Sequence, residues 1–232
     1  MSTKYGIINI DYKTRKGNIK LMIVMAGTIG VGKSTLTEIL SNDLGTEPFY
    51  EPVGDNPILP LYYENPKEYG FLLQIYFLNK RFDLIKKAYK QNNNVLDRSI
   101  FEDLLFTQIN YKNGNLTKEE LQVYESLLNN MMEELEGMPK KSPDLLVYLY
   151  ADFDTIISRI GKRGRDYEQV EENNGLLEYY RTLWNEYQSW YENYNISPKI
   201  KIDVGKNDLS TLKGKENTLK TIKKELSVLG LL

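Results

Sequence analysis

A glycine-rich segment, GTIGVGKS, occupies residues 27–34 and limits the possible folds of this chain more than any other stretch. A glycine followed by four residues and then by Gly-Lys-Ser is the spacing of a P-loop. The apolar run at residues 21–26 precedes it and has the length and composition of a buried parallel strand. Leu36, Ile39 and Leu40 recur after it at helical spacing. The order of strand, glycine-rich turn and helix therefore predicts a phosphate-binding loop.

The chemistry of such a loop explains its residue types. Glycines let the backbone approach a phosphate without Cβ clashes, and the amides at a helix N-terminus point toward the anion. Lys33 is expected to reach the β- and γ-phosphates, and the Ser34 hydroxyl is expected to ligate Mg²⁺. The residues predicted to bind the nucleotide here are Gly27, Thr28, Ile29, Gly30, Val31, Gly32, Lys33, Ser34 and Thr35. The motif leaves the reaction open, because GTPases, motors and small-molecule kinases share it.

The composition narrows the chemistry further. The 232 residues suffice for one α/β domain, and 30 basic against 32 acidic residues give no net field toward nucleic acid or an anionic membrane. Histidine and cysteine are absent, which excludes a Ser-His-Asp triad, imidazole proton transfer, disulfides and thiolate metal sites. A general base must then be a carboxylate, a lysine or a tyrosine, and a carboxylate is favoured. No apolar run reaches the roughly 20 residues of a membrane span and the N-terminus lacks a signal-peptide core, so a cytoplasmic protein is expected.

Apolar runs that alternate with helical patterns predict an α/β fold with a five-stranded parallel sheet. The predicted strands are residues 21–26, 48–52, 94–99, 143–150 and 199–204. The predicted helices follow the P-loop and cover residues 66–90, 101–111 and 152–159, and apolar stripes at residues 121–135, 176–194 and 219–229 indicate further helices. The stripe at residues 121–135 is interpreted as core or a subunit contact, with a site as the alternative, and the aromatic stripe at residues 176–194 is interpreted as core. Without an internal repeat or linker, residues 21–232 are expected to form one domain.

Residues 1–20 differ from the rest, because they have five basic residues against one acidic residue. They are interpreted as a mobile, disordered N-terminal extension without chemistry of its own, and a short strand at residues 6–10 is one option. A start at Met22 and a basic tether to a partner are the alternatives.

Polar residues follow two of the predicted strands. Glu51 stands at the end of the second strand, and Asp97 and Arg98 stand at the end of the third. Functional groups gather at the C-terminal strand ends of parallel sheets, where Asp97 suits Mg²⁺ or its waters and Arg98 suits a developing phosphoryl charge. An ordinary ion pair is the alternative. Gln74 and Arg81 are two helical turns apart, so they share a face that predicts either binding or surface solvation.

Cations alternate with glycines in residues 159–168. Arg159, Arg163 and Arg165 have guanidinium groups that can fork onto phosphate oxygens. The segment therefore predicts a mobile lid that closes over a nucleotide and excludes water. A solvated basic loop is the alternative.

Together these motifs resemble the deoxynucleoside kinase family, and within it the bacterial deoxyadenosine/deoxyguanosine kinases most of all. The resemblance extends from Met22 to the C-terminus. Its ordered motifs are the P-loop, Glu51-Pro52, Tyr63-Glu64-Asn65-Pro66 followed by Gln74, Asp97-Arg98-Ser99, and residues 159–168. It implies a P-loop kinase fold, a five-stranded parallel sheet flanked by helices with an arginine-rich lid. It also implies ATP and Mg²⁺ as cofactors and a homodimer.

The resemblance implies roles for single residues. Glu51 matches the acid that takes the proton from the nucleoside 5′-hydroxyl, and Arg98 matches the arginine that holds this acid and the 5′-oxygen. Tyr63 and Glu168 match the pair that grips the sugar 3′-hydroxyl. Gln74 matches the side chain that pairs with the base edge, and an amide that donates and accepts at once suits that task.

The remaining matches concern the base and the phosphates. Arg81 and Asp103 match a charged pair deeper in the base pocket, an arrangement found in relatives that act on purines and deoxycytidine. The three arginines of residues 159–168 match lid arginines on the ATP phosphates. Asp97 departs from the family, because many relatives have glutamate there. Leu73 and Thr107 stand where aromatic residues flank the base in some relatives.

The sequence therefore predicts an ATP-dependent kinase that phosphorylates the 5′-hydroxyl of a deoxynucleoside in nucleotide salvage. Deoxyadenosine and deoxyguanosine are the preferred candidates for the substrate, and deoxycytidine is the third. The catalytic residues would be Glu51, Arg98 and Lys33. A nucleoside monophosphate kinase such as thymidylate kinase is one alternative, but Glu51 would repel the phosphate of its acceptor. A non-kinase P-loop switch is the other, and it gives no reason for Tyr63 or Gln74.

Overall fold

Parallel strands form the centre of the computed structural model, which describes residues 21–51, 53–90, 94–136, 142–170 and 174–232. The strands are β1 (Met22–Ala26), β2 (Glu47–Phe49), β3 (Asn94–Asp97), β4 (Leu145–Tyr150) and β5 (Lys199–Asp203). All four pairings are parallel, and the strand order is β2-β3-β1-β4-β5. The predicted five-stranded parallel sheet is thus confirmed.

Helices alternate with these strands. They are α1 (Lys33–Leu44), α2 (Leu59–Glu64), α3 (Pro66–Lys90), α4 (Asp103–Lys112), α5 (Lys118–Glu136), α6 (Phe153–Arg163), α7 (Asn174–Asn193) and α8 (Leu212–Val228), with 3-10 turns at Ile100–Glu102 and Asp166–Glu168. No helix in the described part of the chain is both long and apolar enough to cross a membrane.

The core lies on both faces of the sheet, because successive residues of a strand point to opposite sides. Ile23 and Met25 of β1 pack in a cluster with α1, α6 and α8, whereas Met22 and Val24 pack in a cluster with α3 and α5. The stripe residues of α5 and α7 that are most deeply buried are Tyr124, Leu135, Tyr180, Leu183 and Tyr187. The interpretation of the stripes as core is therefore confirmed for these residues.

The strand register places the phosphate loop beside the end of β3. Met25 pairs with Asp97, and the amide of Arg98 donates to the Met25 carbonyl at 3.1 Å. Because β1 continues directly into the P-loop, the loop and the Asp97-Arg98 dipeptide leave the sheet side by side. The functional groups of two separate motifs meet for this reason.

Three of the differences from the sequence predictions concern elements next to the cavity or the site. β2 ends at Phe49, so Glu51 lies two residues beyond the strand instead of within it. α2, which was not among the predicted helices, begins at Leu59, and Pro60 is tolerated in its first turn because no helical N–H is needed there. α6 continues to Arg163 instead of ending at 159, and Gly164 ends it in the left-handed conformation with φ 69°. The strand proposed at residues 6–10, and the rest of residues 1–20, lie outside the described residues.

Candidate active site

The P-loop has the backbone that its glycines predict. Gly27, Gly30 and Gly32 all have positive φ, and α1 begins at Lys33. A Cβ at Gly30 would lie 2.7 Å from Cγ1 of Ile160 in α6, so the loop packs directly on that helix. Lys33 Nζ donates to the carbonyl oxygens of Gly27 at 2.8 Å and Thr28 at 3.0 Å, which folds the side chain back over the loop.

Lys33 has an unusual acidity for a lysine. Burial, followed by the nearby positive charge of Arg98, lowers its pKa to about 7, although Asp97 and Glu102 act in the opposite direction. The side chain is therefore close to its titration midpoint at neutral pH. An anion bound in the loop would favour its charged form.

A corner suited to a cation lies beside the loop. The Ser34 hydroxyl donates to Oδ2 of Asp97, while Asp97 Oδ1 is buried and has no hydrogen-bond partner among the described residues. Burial raises the pKa of Asp97, and the charge of Lys33 partly offsets this effect. One hydroxyl and one carboxylate fit Mg²⁺, which usually keeps waters and takes its other ligands from substrate phosphates. Within the described residues no group of three or more carboxylates could hold a metal by itself.

Glu51 is held by two arginines. Arg98 Nε lies 3.0 Å from Oε2, and Arg81 pairs with Oε1. Burial alone would raise the pKa of Glu51, but Arg98, Arg81 and Lys33 outweigh it and lower the pKa to about 2. Glu51 is consequently a carboxylate at any physiological pH.

Arg98 itself has a strained backbone. Its φ is 93°, and it is the only non-glycine residue with positive φ in the described ranges. Such a conformation costs of the order of 1–3 kcal/mol and persists where the surroundings over-determine it. The guanidinium is buried and lies 4.8 Å from the centre of the Phe106 ring. The strain fits a side chain that is fixed for a function.

One cavity of about 530 Å³ joins these groups to the other predicted site residues. The predicted residues that line it are Ile29, Gly30, Gly32, Lys33, Ser34, Thr35, Glu51, Tyr63, Gln74, Arg81, Asp97, Arg98, Arg159, Arg163, Arg165 and Glu168. Gln74 and Arg81 are only 4% and 6% exposed, which excludes the surface-solvation alternative. Asp103 is fully buried behind this wall and pairs with Arg81.

Tyr63 and Glu168 approach the cavity from α2 and from the 3-10 turn at 166–168. The ring of Tyr63 lies 5.3 Å from that of Tyr167, and Glu168 is 2% exposed. Burial raises the pKa of Tyr63 well above its usual value, and Tyr180 and Glu168 add to the effect. Tyr63 is therefore a neutral hydroxyl that can donate.

The arginine segment is only partly what its composition predicts. Arg159 and Arg163 lie in α6, and Ile160 between them is buried in the core, so this part is a packed helix and not a glycine-rich loop. Arg159 donates to the carbonyls of Val31 at 3.1 Å and Val204 at 2.8 Å, and thus ties α6 to the P-loop and to the end of β5.

The two other arginines of the segment share one partner. Arg163 pairs with Oε2 of Glu168, and Arg165 Nη1 lies 3.1 Å from its Oε1. Both side chains are 33% exposed. Phosphate oxygens that bind here would compete with Glu168 for these cations.

Several residues of the site were not predicted from the sequence. Phe77 and Phe106 line the cavity and supply aromatic rings. Of the two positions where some relatives have aromatic residues, Leu73 lines the cavity, and Thr107 donates its hydroxyl to the Asp103 carbonyl at 3.1 Å. Phe77 could have been found, since it follows Gln74 by one helical turn. Other unpredicted lining residues are Val53, Leu59, Tyr62, Tyr179, Asp208, Leu209 and Ser210. Glu102 and Tyr187, which contact Arg98, were missed as well.

A parallel sheet with a P-loop at its edge, a buried carboxylate and a ring of guanidinium groups defines a P-loop phosphotransferase. The deoxynucleoside kinase family model matches residues 23–227. The chain belongs to the deoxynucleoside kinase family, and its activity is the phosphorylation of deoxynucleosides. The fold and the enzyme class predicted from the sequence are thereby confirmed.

Individual relatives agree with this placement. A deoxyguanosine kinase of Lactobacillus acidophilus is 54% identical over 210 residues, which cover 90% of this chain and 92% of the relative. A deoxyadenosine kinase of the same organism is 47% identical over 210 residues, covering 90% and 98%. The structure of a deoxyadenosine kinase from M. mycoides with bound dCTP has a TM-score of 0.74 and 33% identity, covering 90% of this chain and 100% of that one. These comparisons give no support to a monophosphate kinase or a non-kinase switch.

Proposed function

We propose that this enzyme transfers the γ-phosphate of ATP, with Mg²⁺, to the 5′-hydroxyl of a purine deoxynucleoside. The observation that supports this most is the position of Glu51. Its carboxylate is held by two arginines in the same cavity that the P-loop opens into. A base, an acceptor space and a phosphate cradle are thus adjacent.

On the donor side, the P-loop amides and Lys33 would bind the phosphates. Ser34 and Asp97 would hold Mg²⁺, which when bound neutralises charge on phosphate oxygens. Arg163 and Arg165 would leave Glu168 for the donor phosphates. Arg159 would act through the Val31 carbonyl, because its guanidinium is already used by backbone oxygens.

On the acceptor side, Glu51 would accept the 5′-hydroxyl proton. Phosphoryl transfer passes through a loose transition state, so the hydroxyl becomes acidic only as the new bond forms. A carboxylate with a low pKa can therefore act late as the base, provided that it is well placed. Arg98 would hold that carboxylate and the 5′-oxygen.

The nucleoside would be gripped at both ends. Tyr63 and Glu168 would bind the 3′-hydroxyl, and Gln74 would pair with the base edge. Arg81 Nε and Asp103 Oδ2 are buried and have no hydrogen-bond partner among the described residues. This pair therefore has one free donor and one free acceptor, which polar groups of the base would satisfy. The relatives named deoxyguanosine and deoxyadenosine kinases support a purine. A neighbouring structure with bound dCTP keeps deoxycytidine as the third candidate.

A cytoplasmic homodimer in nucleotide salvage completes the proposal. The family resemblance alone supports the dimer. The most buried stripe residues of α5 and α7 do not support it, because they pack within the core of one chain. Near-balanced charge argues against nucleic acid as a partner. Sedimentation at several protein concentrations would test the dimer.

The decisive experiment is a kinase assay with the four deoxynucleosides and the four deoxynucleoside monophosphates, each with ATP and Mg²⁺. We expect deoxyguanosine and deoxyadenosine to give 5′-monophosphates with the highest kcat/KM. The proposal would be contradicted if only the monophosphates were phosphorylated, or if none of the nucleosides changed the rate of ATP hydrolysis.

A further inference from the structure

Glu102 is a fully buried carboxylate whose two oxygens contact different parts of the molecule. Oε2 accepts from the backbone N–H of Ser99 at 2.9 Å, while the Ser99 hydroxyl accepts from Phe101 N at 3.0 Å. This reciprocal pair is a capping box, which satisfies the backbone N–H groups of Ser99 and Phe101 at the start of the 3-10 turn. Capping explains one oxygen of Glu102 and leaves the other to be explained.

The second oxygen faces the active site. Glu102 Oε1 accepts from the backbone N–H of Gly27 at 3.1 Å and lies 3.4 Å from Arg98 Nη1. Gly27 is the first glycine of the P-loop, and its carbonyl accepts from Lys33 Nζ at 2.8 Å. One carboxylate oxygen thus touches the donor loop and the arginine that holds Glu51.

Tyr187 of α7 closes this network. Its hydroxyl accepts from Arg98 Nη1 at 2.7 Å and donates to Glu102 Oε1 at 2.6 Å. The residue is fully buried, so both bonds are sheltered from water. Hydrogen bonds therefore run from Arg98 through Tyr187 to Glu102.

We propose that Glu102 and Tyr187 are positioning residues for phosphoryl transfer, which hold Arg98 against Glu51 and fix it relative to the P-loop. The proposal rests on the proposed function, in which Glu51 is the base and Arg98 its holder. An arginine side chain has many rotamers, and partners on both sides of the guanidinium leave one orientation. Reacting groups misplaced by about 1 Å can lose about a hundredfold in rate.

Charge balance gives a second reason for Glu102. When Glu51 accepts the proton of the 5′-hydroxyl, it becomes neutral and no longer compensates Arg98. The guanidinium is only 5% exposed, and a buried cation without a counter-charge is costly. Glu102 supplies a second carboxylate beside Arg98, 3.4 Å from its Nη1, that is not the acceptor of the 5′-hydroxyl proton, so Arg98 keeps an acidic partner after the proton has moved.

The test is a double-mutant cycle. Glu102→Gln and Tyr187→Phe are each made in the wild type and in Arg98→Ala, and monophosphate formation is followed by mass spectrometry so that slow variants can be measured. Glutamine is accepted in capping boxes, so the first substitution keeps the 3-10 turn while it removes the charge and one acceptor oxygen. Phenylalanine removes a single oxygen.

We expect Glu102→Gln to lower kcat by about tenfold to a hundredfold and Tyr187→Phe by about threefold to tenfold. In the Arg98→Ala background each should change kcat by less than about twofold, because the residue through which they act is gone. The KM for ATP should rise in Glu102→Gln alone, since only Glu102 contacts Gly27. KM for the nucleoside should change little in either variant.

Two control variants match these changes elsewhere. Glu120→Gln alters a surface capping box, in which Thr117 N donates to Glu120 at 2.7 Å. Tyr191→Phe removes a hydroxyl one turn further along α7, where the ring stacks on Tyr148 at 4.7 Å. Both should retain the wild-type kcat.

Equal losses in the wild-type and Arg98→Ala backgrounds would show a merely structural role and overturn the proposal, as would an unchanged kcat in both single variants. If Glu102→Gln fails to fold, as judged by its Tm, Tyr187→Phe alone decides. A wild-type enzyme that phosphorylates no deoxynucleoside would contradict the proposed function instead.

Discussion

The strand-end cluster (Lys33, Glu51, Asp97 and Arg98) and the arginine segment (residues 159–168) line the same cavity but are built differently. The Arg98 side chain is 5% exposed, whereas those of Arg163 and Arg165 are 33% exposed. Partners in the cluster are far apart in sequence, as Glu51 and Arg98 are by 47 residues. Arg163 and Arg165 find their partner within five residues.

The two regions are therefore expected to have different roles in catalysis and in binding. The buried cluster is assembled by the whole fold, and its Glu51–Arg98 ion pair is in place before any substrate arrives, which is the condition for electrostatic preorganisation. In the arginine segment, Arg163 and Arg165 are held by local and partly solvated ion pairs, which are worth little individually and can be exchanged. We therefore expect substitutions in the cluster to change kcat most, and substitutions in the segment to change ATP binding.

The largest effect is expected for Glu51→Gln. The amide keeps the shape but cannot accept the proton, so kcat should fall by roughly 10²–10⁴ while the nucleoside still binds. Steady-state kinetics and a nucleoside titration by calorimetry measure the two quantities. Glu47→Gln on β2 is the matched control, because Glu47 is exposed and lies four residues upstream. Turnover near the wild-type value would remove Glu51 from the role of base.

A smaller effect is expected for Gly30→Ala, which tests the anchoring of the P-loop to α6. The new Cβ would lie 2.7 Å from Ile160 Cγ1, at a residue with φ 80°. We expect kcat/KM for ATP to fall at least about tenfold, and the free energy of unfolding to fall by about 1–3 kcal/mol.

Gly45→Ala separates backbone strain from crowding, because Gly45 has φ 64° and no atom within 4 Å of its would-be Cβ. Strain alone should cost about 1–2 kcal/mol there and leave the kinetics unchanged. If the two variants have the same kinetics with ATP, the P-loop does not depend on its contact with Ile160.

A moderate effect is expected for Arg163→Lys and Arg165→Lys. Lysine keeps the charge but loses the planar fork that suits phosphate oxygens, so KM for ATP should rise by about threefold to tenfold. The nucleoside KM should change less. Arg181→Lys is the control, since its guanidinium lies 4.0 Å from the Phe153 ring centre and does not line the cavity. A fall in kcat with an unchanged KM for ATP would mean that the segment belongs with the buried cluster.

The same contrast explains what could be predicted from the sequence. The P-loop, the strands and the shared face of Gln74 and Arg81 follow from local spacing, so their places were predictable. Glu51 was placed correctly near the site by the rule of strand ends, although β2 stops two residues earlier.

Contacts that depend on the whole fold were not predictable. Tyr187 has the helical spacing of a core aromatic, and only the packing of α7 brings its hydroxyl to Glu102, 85 residues away in sequence. Composition assigned Arg159 to a mobile lid, whereas the burial of Ile160 beneath Gly30 keeps that stretch helical. Periodicity shows which residues are buried but not which of them meet.

The smallest expected effect is the uptake of protons by Lys33, a member of the strand-end cluster, when ATP binds. Burial and the charge of Arg98 lower the pKa of Lys33 to about 7 from 10.5, so at pH 8 it is mostly neutral in the free enzyme. Bound ATP adds negative charge and raises that pKa again. ATP binding at pH 8 should therefore take up roughly 0.5–1 proton, measured by calorimetry in buffers of different ionisation enthalpy.

The sign of the stability change provides an independent check on Lys33. Its pKa is lower in the folded enzyme than in the unfolded chain, so between pH 7 and 10.5 the unfolded chain binds more protons. The free energy of unfolding of the nucleotide-free enzyme should therefore increase as pH rises from 7 to 10.5, because Lys33 loses its proton in the folded state first. Below pH 7 Lys33 is charged in both states, and its burial destabilises the folded enzyme in full. Lys33→Arg stays charged throughout, so both the proton uptake and this gain should disappear. Proton uptake that persists in Lys33→Arg would assign the titration to another group.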